Sequence, residues 1–434
     1  MYTLILVFIL LILNIVIFKE DRGRYFFSIS MLMSWWLVWL LISEVNDGIK
    51  PPAPEIGYHV INYVLFIVLG GLLCKSLSRS KVYFSGGVNI LYFRRFSLLI
   101  SIPMLIWVIY LAVISLNLHF SSGYAIRDLR EQFFSFSDSG NLWFDSKLIW
   151  SVYLTFFGIV IHYMLVVSIP IFIERKNIIL LVVFLLLVIF DMILKSSRGM
   201  LYAIGICYIY VSILALSGVG GSKISRSGVI RGLSLLSLIV IFVAFFSLQR
   251  GHSIVGGFFN YHTVGFSLFS NIIEMNGSYE HLPLELGRLT TGGIDYLFTT
   301  AIRYVIDPAY NSPVYLNTII QDQNIVTGDQ SIVSPELAIY VSHNAFYTIL
   351  STVYLDFGTL GPMILGLITG YYLVYFEKSY MDNRSIWALI MLVFIFYNSI
   401  AGIFASPLET PGFWGVVVLL FYSSKFFKSR RWGK

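Results

Sequence analysis

The stretch IILLVVFLLLVIFDMIL at 178–194 contains a single charged residue. Such a segment has no polar face to offer water, and inside a bilayer a helix satisfies its backbone hydrogen bonds internally. Apolar runs of this kind recur at 2–18, 25–43, 60–74, 96–118, 149–173, 178–194, 200–217, 232–248, 360–376, 385–404 and 413–427. Each is near the ~20 residues that cross a ~30 Å hydrocarbon core. The sequence therefore predicts an all-α, polytopic integral membrane protein with about 11 transmembrane helices. Composition agrees: 57% of the 434 residues are hydrophobic and 12% are charged, far from the balance of a soluble domain.

Orientation follows from Lys and Arg, because cationic loops resist translocation. With the N-terminus outside, the inner segments 19–24, 75–95, 174–177, 218–231, 377–384 and 425–434 hold 20 of the 29 Lys and Arg. The outer segments 44–59, 119–148, 195–199, 249–342 and 406–412 contain far more residues and hold nine. The formal charge of +6 is thus an orientation signal, and no nucleic-acid partner is expected. The first span lacks a basic lead-in and a small-residue cleavage site, so it is expected to be retained. Cys74 and Cys207 fall in or at the end of spans and read as small packing residues. GVGGSK at 218–223 lacks the spacing of a phosphate loop and reads as a linker.

Three stretches follow from this pattern: an eight-span N-terminal membrane bundle (1–248), a long outer loop (249–342), and a broken helix with three C-terminal spans (343–434). Long loops in compact architectures are usually functional. Here IVGGFFNYHTVGFSLFSNIIEM (254–275) and GGIDYLFTTAIRYVI (292–306) carry apolar residues at spacings of three and four, which predicts short amphipathic helices on the bilayer surface.

The outer cations are Lys50, Arg127, Arg130, Lys147, Lys195, Arg198, Arg250, Arg288 and Arg303. Arg dominates, and its guanidinium grips phosphate bidentately, which points to an anionic ligand near the outer surface. In FDMILKSSRGM, Asp191, Lys195 and Arg198 are spaced to share one helix face at the outer end of the sixth span. That face reads either as an ion pair at a snorkelling helix end or as a ligand site. Arg250 and His252 emerge together from the eighth span in SLQRGHS, as interfacial anchors or phosphate contacts. Arg288 and Arg303 lie in the long loop, where solvation or local ion pairing competes with ligand contact. The sequence has no H-E-x-x-H, no D-x-D and no Cys/His cluster, so a metal-independent site is expected.

The stretch VSHNAFYTILSTVYLDFGTLGPMILGLITGYYLVYF (341–376) sets His343, Asn344 and Asp356 against a membrane-like run. As one straight helix from residue 343 it would extend about 50 Å, well over a ~30 Å core, so it must break. Gly358 and Gly361 are expected as helix stops and Pro362 in the first turn of the next helix. DFGTLGP then divides a surface or re-entrant helix at about 344–357 from the true span. Asn344 is expected to cap that helix, with Asp356 about 20 Å away at its other end.

HNAFYTIL…DFGTLG, preceded by a long extracytoplasmic loop and by SSRG at the end of an earlier span, resembles the O-antigen polymerase (Wzy) family, the oligosaccharide repeat unit polymerases. It is more distantly similar to the O-antigen ligases. The resemblance implies a GT-C-like, inverting, metal-independent glycosyltransferase without cofactors, multi-pass in the bacterial inner membrane, its site facing the periplasm. Donor and acceptor glycans would both be linked to undecaprenyl pyrophosphate, and the growing glycan would pass to the sugar at the non-reducing end of a new repeat unit. On this resemblance Arg198, Arg250, Arg288 and Arg303, with Lys195 and His252, are expected to hold the pyrophosphate. His343 is expected to activate or orient the attacking hydroxyl, with Asp356 or Glu336 behind it. Membrane lipids, and the chain-length regulator and flippase of the same pathway, are the expected partners. The rival readings are a ligase, a lipid-linked oligosaccharide flippase or other transporter, and a scaffold. A transporter would carry ionisable groups within its spans, where only Asp191 and His162 qualify.

Overall fold

The computed structural model describes residues 26–46, 51–77, 90–124, 126–134, 141–195, 199–217, 254–278, 289–294, 331–333, 340–342 and 348–426, with a few single positions besides. In chain order the helices are α1 (Phe27–Val45), α2 (Pro54–Leu77), α3 (Ile90–Ser122), α4 (Ile126–Phe134), α5 (Lys147–Arg175), α6 (Ile178–Lys195), α7 (Gly199–Ser217), α8 (Ile254–Ser278), α9 (Ile349–Phe357), α10 (Leu360–Asn383), α11 (Ile386–Ala401) and α12 (Pro411–Phe426). One short antiparallel ladder joins β1 (Ser331–Val333) to β2 (Tyr340–Ser342), with Ile332 opposite Val341.

Six of these helices, α1, α2, α3, α5, α6 and α10, are long and apolar enough to cross a membrane, and α7, α11 and α12 contain shorter apolar stretches. The chain is a helical membrane protein. All nine lie where the sequence places spans; of the predicted 2–18 only scattered positions are described, and 232–248 lies outside the described residues. Cys74 and Cys207 are both buried and are not joined in a disulfide, as packing residues should be.

The chain forms two compact units, each drawn from separated segments. The first comprises Met1–Tyr83, Val255–Asn383 and Phe394–Pro411; the second comprises Phe84–Ile254, Arg384–Val393 and Gly412–Lys434.

In the first unit α2 and α10 run parallel in backbone contact. Gly366 faces the carbonyl of Tyr63 and Gly370 that of Ile67, four residues on in both helices, and a Cβ at either glycine would overlap that oxygen. Small residues spaced i, i+4 let two helices approach this closely in a membrane, where dispersion contact does most of the work of association. α1 is anchored at its start. The carboxylate of Glu377, fully buried near the end of α10, accepts from Phe27 N at 3.0 Å and Ser28 N at 2.9 Å, and from the Ser28 hydroxyl. The first amides of a helix need acceptors from outside it, and a negative charge suits the positive end of its dipole.

α8 corrects the expectation of short helices lying on the bilayer surface at 254–275. It is one 25-residue helix, and residues 262–270 are buried around its whole circumference. His262 stacks on Trp39 at 4.2 Å between ring centroids, Phe266 meets Trp36, and Phe269 meets His59 and Tyr354. The apolar spacing of three and four is correct for a helix. The small and polar residues between, however, face protein and not water. Gly265 lies against the carbonyl of Ile403, Thr263 accepts from the Asn46 amide at 2.9 Å, and Ser270 accepts from Ala53 N at 2.7 Å.

The second unit is built on α3, α5, α6 and α7, with α5 the most enclosed of its long helices. The short α4 is pinned by Trp150, whose indole donates to the carbonyl of Phe133 at 2.9 Å.

Candidate functional site

The site lies at the end of the first unit where α1 stops at Val45 and α2 begins at Pro54, the end that the Lys and Arg distribution predicts to face outward. Its framework is α9. The helix begins at Ile349 and not near residue 344, because Thr348 supplies the cap: its Oγ1 accepts from Ser351 N at 3.2 Å. Ile349 N is drawn off to the carbonyl of Gly402 at 2.7 Å. Asn344, expected as the cap, lies outside the described residues. The break at DFGTLGP stands as expected at Gly358, whose positive φ of 60° ends α9 and whose N–H donates to Tyr354 O at 2.7 Å. Pro362 falls in the first turn of α10. Gly361 is not a stop. It is the second residue of α10, pressed against the carbonyl of Val353 with no room for a Cβ.

Thr352 and Asp356 stand one turn apart on α9 and so share a face. Asp356 is fully buried and accepts from Leu289 N at 3.0 Å, Thr290 N at 2.7 Å and the Thr290 hydroxyl. It thereby ties the turn after Gly287 to α9 across 67 residues of sequence. The turn closes on itself through Thr291 N and Gly287 O at 3.0 Å. One turn back, the Thr352 hydroxyl donates to Glu409 Oε1 at 2.6 Å. Glu409 ends the 3-10 turn Pro407–Glu409 and is half-buried. Burial pushes its carboxyl up to about 7; the Asp356 charge adds to this and the Thr352 hydrogen bond opposes it.

Two further polar groups lie on the segments packed against α9. Ser406, 5% exposed, opens the turn that bears Glu409, does not cap it, and its Oγ has no hydrogen-bond partner among the described residues. His59, in the second turn of α2 and 8% exposed, sets its ring edge-on to Tyr354 of α9 at 5.0 Å, and its Nδ1 likewise has no partner among the described residues. The arrangement sets a carboxyl of raised proton affinity against the Thr352 hydroxyl, at one end of a membrane unit. It can take a proton from a hydroxyl-bearing substrate.

Of the residues expected to act on the substrates, Asp356 and Lys195 are described; His343, Glu336, Arg198, Arg250, Arg288, Arg303 and His252 lie outside the described residues. Lys195 belongs to the second unit. It pairs with Asp191 at 2.6 Å, and its ammonium lies 4.6 Å from the Phe157 ring centroid and 5.6 Å from that of Tyr153. Of the expected face of Asp191, Lys195 and Arg198, the ion pair of the first two is described; α6 ends at Lys195, and Arg198 lies outside the described residues. Among the described residues no group of three or more His, Cys, Asp or Glu could hold a metal ion.

Sequence reasoning missed Glu409, Thr352 and Thr290. The available signal was slight: Glu409 is the lone acid in the outer segment 406–412, between Pro407 and Pro411, with no Lys or Arg beside it. Comparison of the chain with protein-family models, with curated proteins and with solved structures yields no match.

Proposed function

We propose that the protein is a glycosyltransferase that polymerises undecaprenyl-pyrophosphate-linked oligosaccharide repeat units at the periplasmic face of the bacterial inner membrane. The observation that carries this reading is the cluster on α9: the stretch whose motifs resemble the repeat unit polymerases contributes Thr352 to a carboxyl poised near neutral pH and Asp356 to the turn after Gly287. The Lys and Arg split supports an outward-facing location for that cluster.

The chemistry asks for two things. A sugar hydroxyl must lose its proton as it attacks the anomeric carbon, and the pyrophosphate that leaves from the opposite face must have its growing charge neutralised. One in-line displacement inverts the anomeric centre. Arg288 and Arg303, which belong to the same unit as that cluster, are proposed for the pyrophosphate, since cations near a low-dielectric boundary stabilise a departing anion strongly. His343 and Glu336 are proposed to orient the acceptor sugar. Asp356, with both oxygens engaged by three donors, acts as a positioning residue for the turn that follows Arg288 in sequence.

The test is the lipopolysaccharide of a deletion strain. Loss of the ladder with one repeat unit still added to the core is the expected result. A core with no repeat unit at all would overturn the polymerase reading in favour of a ligase or a flippase.

A further inference from the structure

We infer that Glu409 is the group that takes the proton of the attacking sugar hydroxyl, with Thr352 holding its carboxylate in place. This rests on the glycosyltransferase reading and names the residue at which its proton transfer occurs.

A proton acceptor needs an open lone pair, access and a fixed position. Within this cluster Asp356 has the fixed position without the access: it is fully buried and its two oxygens accept from Leu289 N, Thr290 N and the Thr290 hydroxyl. Glu409 meets the requirements better. It is half-buried, its Oε1 is held by Thr352 at 2.6 Å, and that is its one hydrogen bond among the described residues, which leaves Oε2 open. Its backbone is stiff, lying between Pro407 and Pro411, with Thr410 N and the Thr410 hydroxyl both donating to Pro407 O at 3.0 and 2.8 Å. Among the described residues, Asp356 is the other ionisable side chain that acts on Glu409. Burial and that neighbour raise its proton affinity to the range in which a general base works best near neutral pH.

In the step itself, the hydroxyl oxygen forms its bond to the anomeric carbon while its O–H bond breaks and the proton passes to Glu409 Oε2. The bond from the anomeric carbon to the pyrophosphate oxygen breaks, and its electron pair leaves with the lipid pyrophosphate. Glu409 then releases its proton to water before the next turnover.

The experiment joins synthetic undecaprenyl-pyrophosphate repeat units with purified full-length protein in detergent, across about pH 5.5–8.5, for the wild type, Glu409→Gln and Thr352→Val. The wild-type rate should rise with pH through a midpoint near 7. Glu409→Gln should lower the rate on its alkaline plateau on the order of 10²–10⁴-fold and abolish the midpoint near 7. Thr352→Val should lose less than about tenfold at alkaline pH and move the midpoint upward, because the hydrogen bond it removes favours the charged carboxylate. A Glu409→Gln protein with the wild-type rate and pH profile overturns the assignment alone and passes the proton to another group such as His343. Should Glu409→Gln fail to fold, the Thr352→Val midpoint decides, and an unmoved midpoint overturns the assignment. A folded wild-type protein that joins no repeat units overturns the glycosyltransferase reading, and this assignment with it.

Discussion

Asp356 and Glu409 are both acids, yet their surroundings divide their roles. Asp356 meets three donors aimed at its two oxygens, so an amide in its place must turn an NH2 group toward an N–H or a hydroxyl. Asp356→Asn should therefore cost about 1–3 kcal/mol, the penalty for leaving a buried group unsatisfied, read as a lower melting temperature in detergent. The same substitution removes the charge that raises the Glu409 pKa, so the midpoint of the pH–rate curve should move toward acid. If neither melting nor midpoint changes, the contacts of Asp356 have been misassigned. Glu409 also links stability to pH. Its carboxyl is raised from 4.5 to about 7, so the folded state binds the proton more tightly than the unfolded chain does. That contribution to stability is fully present below about 4.5 and is lost as pH rises through about 7. The melting temperature of the wild type should fall across this window, and Glu409→Gln should flatten the fall; parallel curves for the two proteins would contradict the shift.

Among the elements, the α2–α10 pair depends on glycine for its spacing. Gly370 faces the Ile67 carbonyl across a gap that no Cβ can enter, whereas Gly158 in α5 has nothing within 4 Å of where its Cβ would stand. Gly370→Ala should separate the two helices and cost at least the 1–3 kcal/mol typical of overpacking. Gly158→Ala, the same change of residue, should be neutral or stabilise by up to about 1 kcal/mol through helix propensity. Thermal unfolding of the two purified variants provides the comparison, and equal melting temperatures would mean that α2 and α10 do not meet along this face. The break between α9 and α10 was legible because Gly358 must adopt a positive φ and Pro362 suits a first turn, both local constraints. The start of α9 was not legible, because its first amide goes to Gly402, 53 residues away in sequence.

For the molecule as a whole, topology is the quantity to measure. α2 and α10 run parallel, so their C-terminal ends, Leu77 and Asn383, belong on one side of the membrane, and Pro51, before α2, belongs on the other. The Lys and Arg split assigns Leu77 and Asn383 to the inner side. Leu77→Cys and Asn383→Cys should react with an impermeant maleimide only after lysis, whereas Pro51→Cys should react in intact spheroplasts. The native Cys74 and Cys207 are buried and should contribute little background. Labelling of Leu77→Cys and Asn383→Cys from opposite sides would contradict the parallel pair.

The sequence by itself determined the solvent and the class of fold, and its Lys and Arg set the direction in which the spans are expected to point. A run of ~20 apolar residues must become a helix in a bilayer, and cationic loops stay inside, whatever the tertiary arrangement. Only the tertiary structure decided which polar side chains would meet. Glu377 caps α1 from 350 residues away, and Glu409 reaches Thr352 from 57 residues away. It also decided that α8, with the apolar spacing of a surface helix, would be enclosed. Periodicity reports that a helix has faces, but not whether the other face meets water or protein. A carboxyl's proton affinity depends on burial and on its neighbours, and both are set by contacts between segments far apart in the chain.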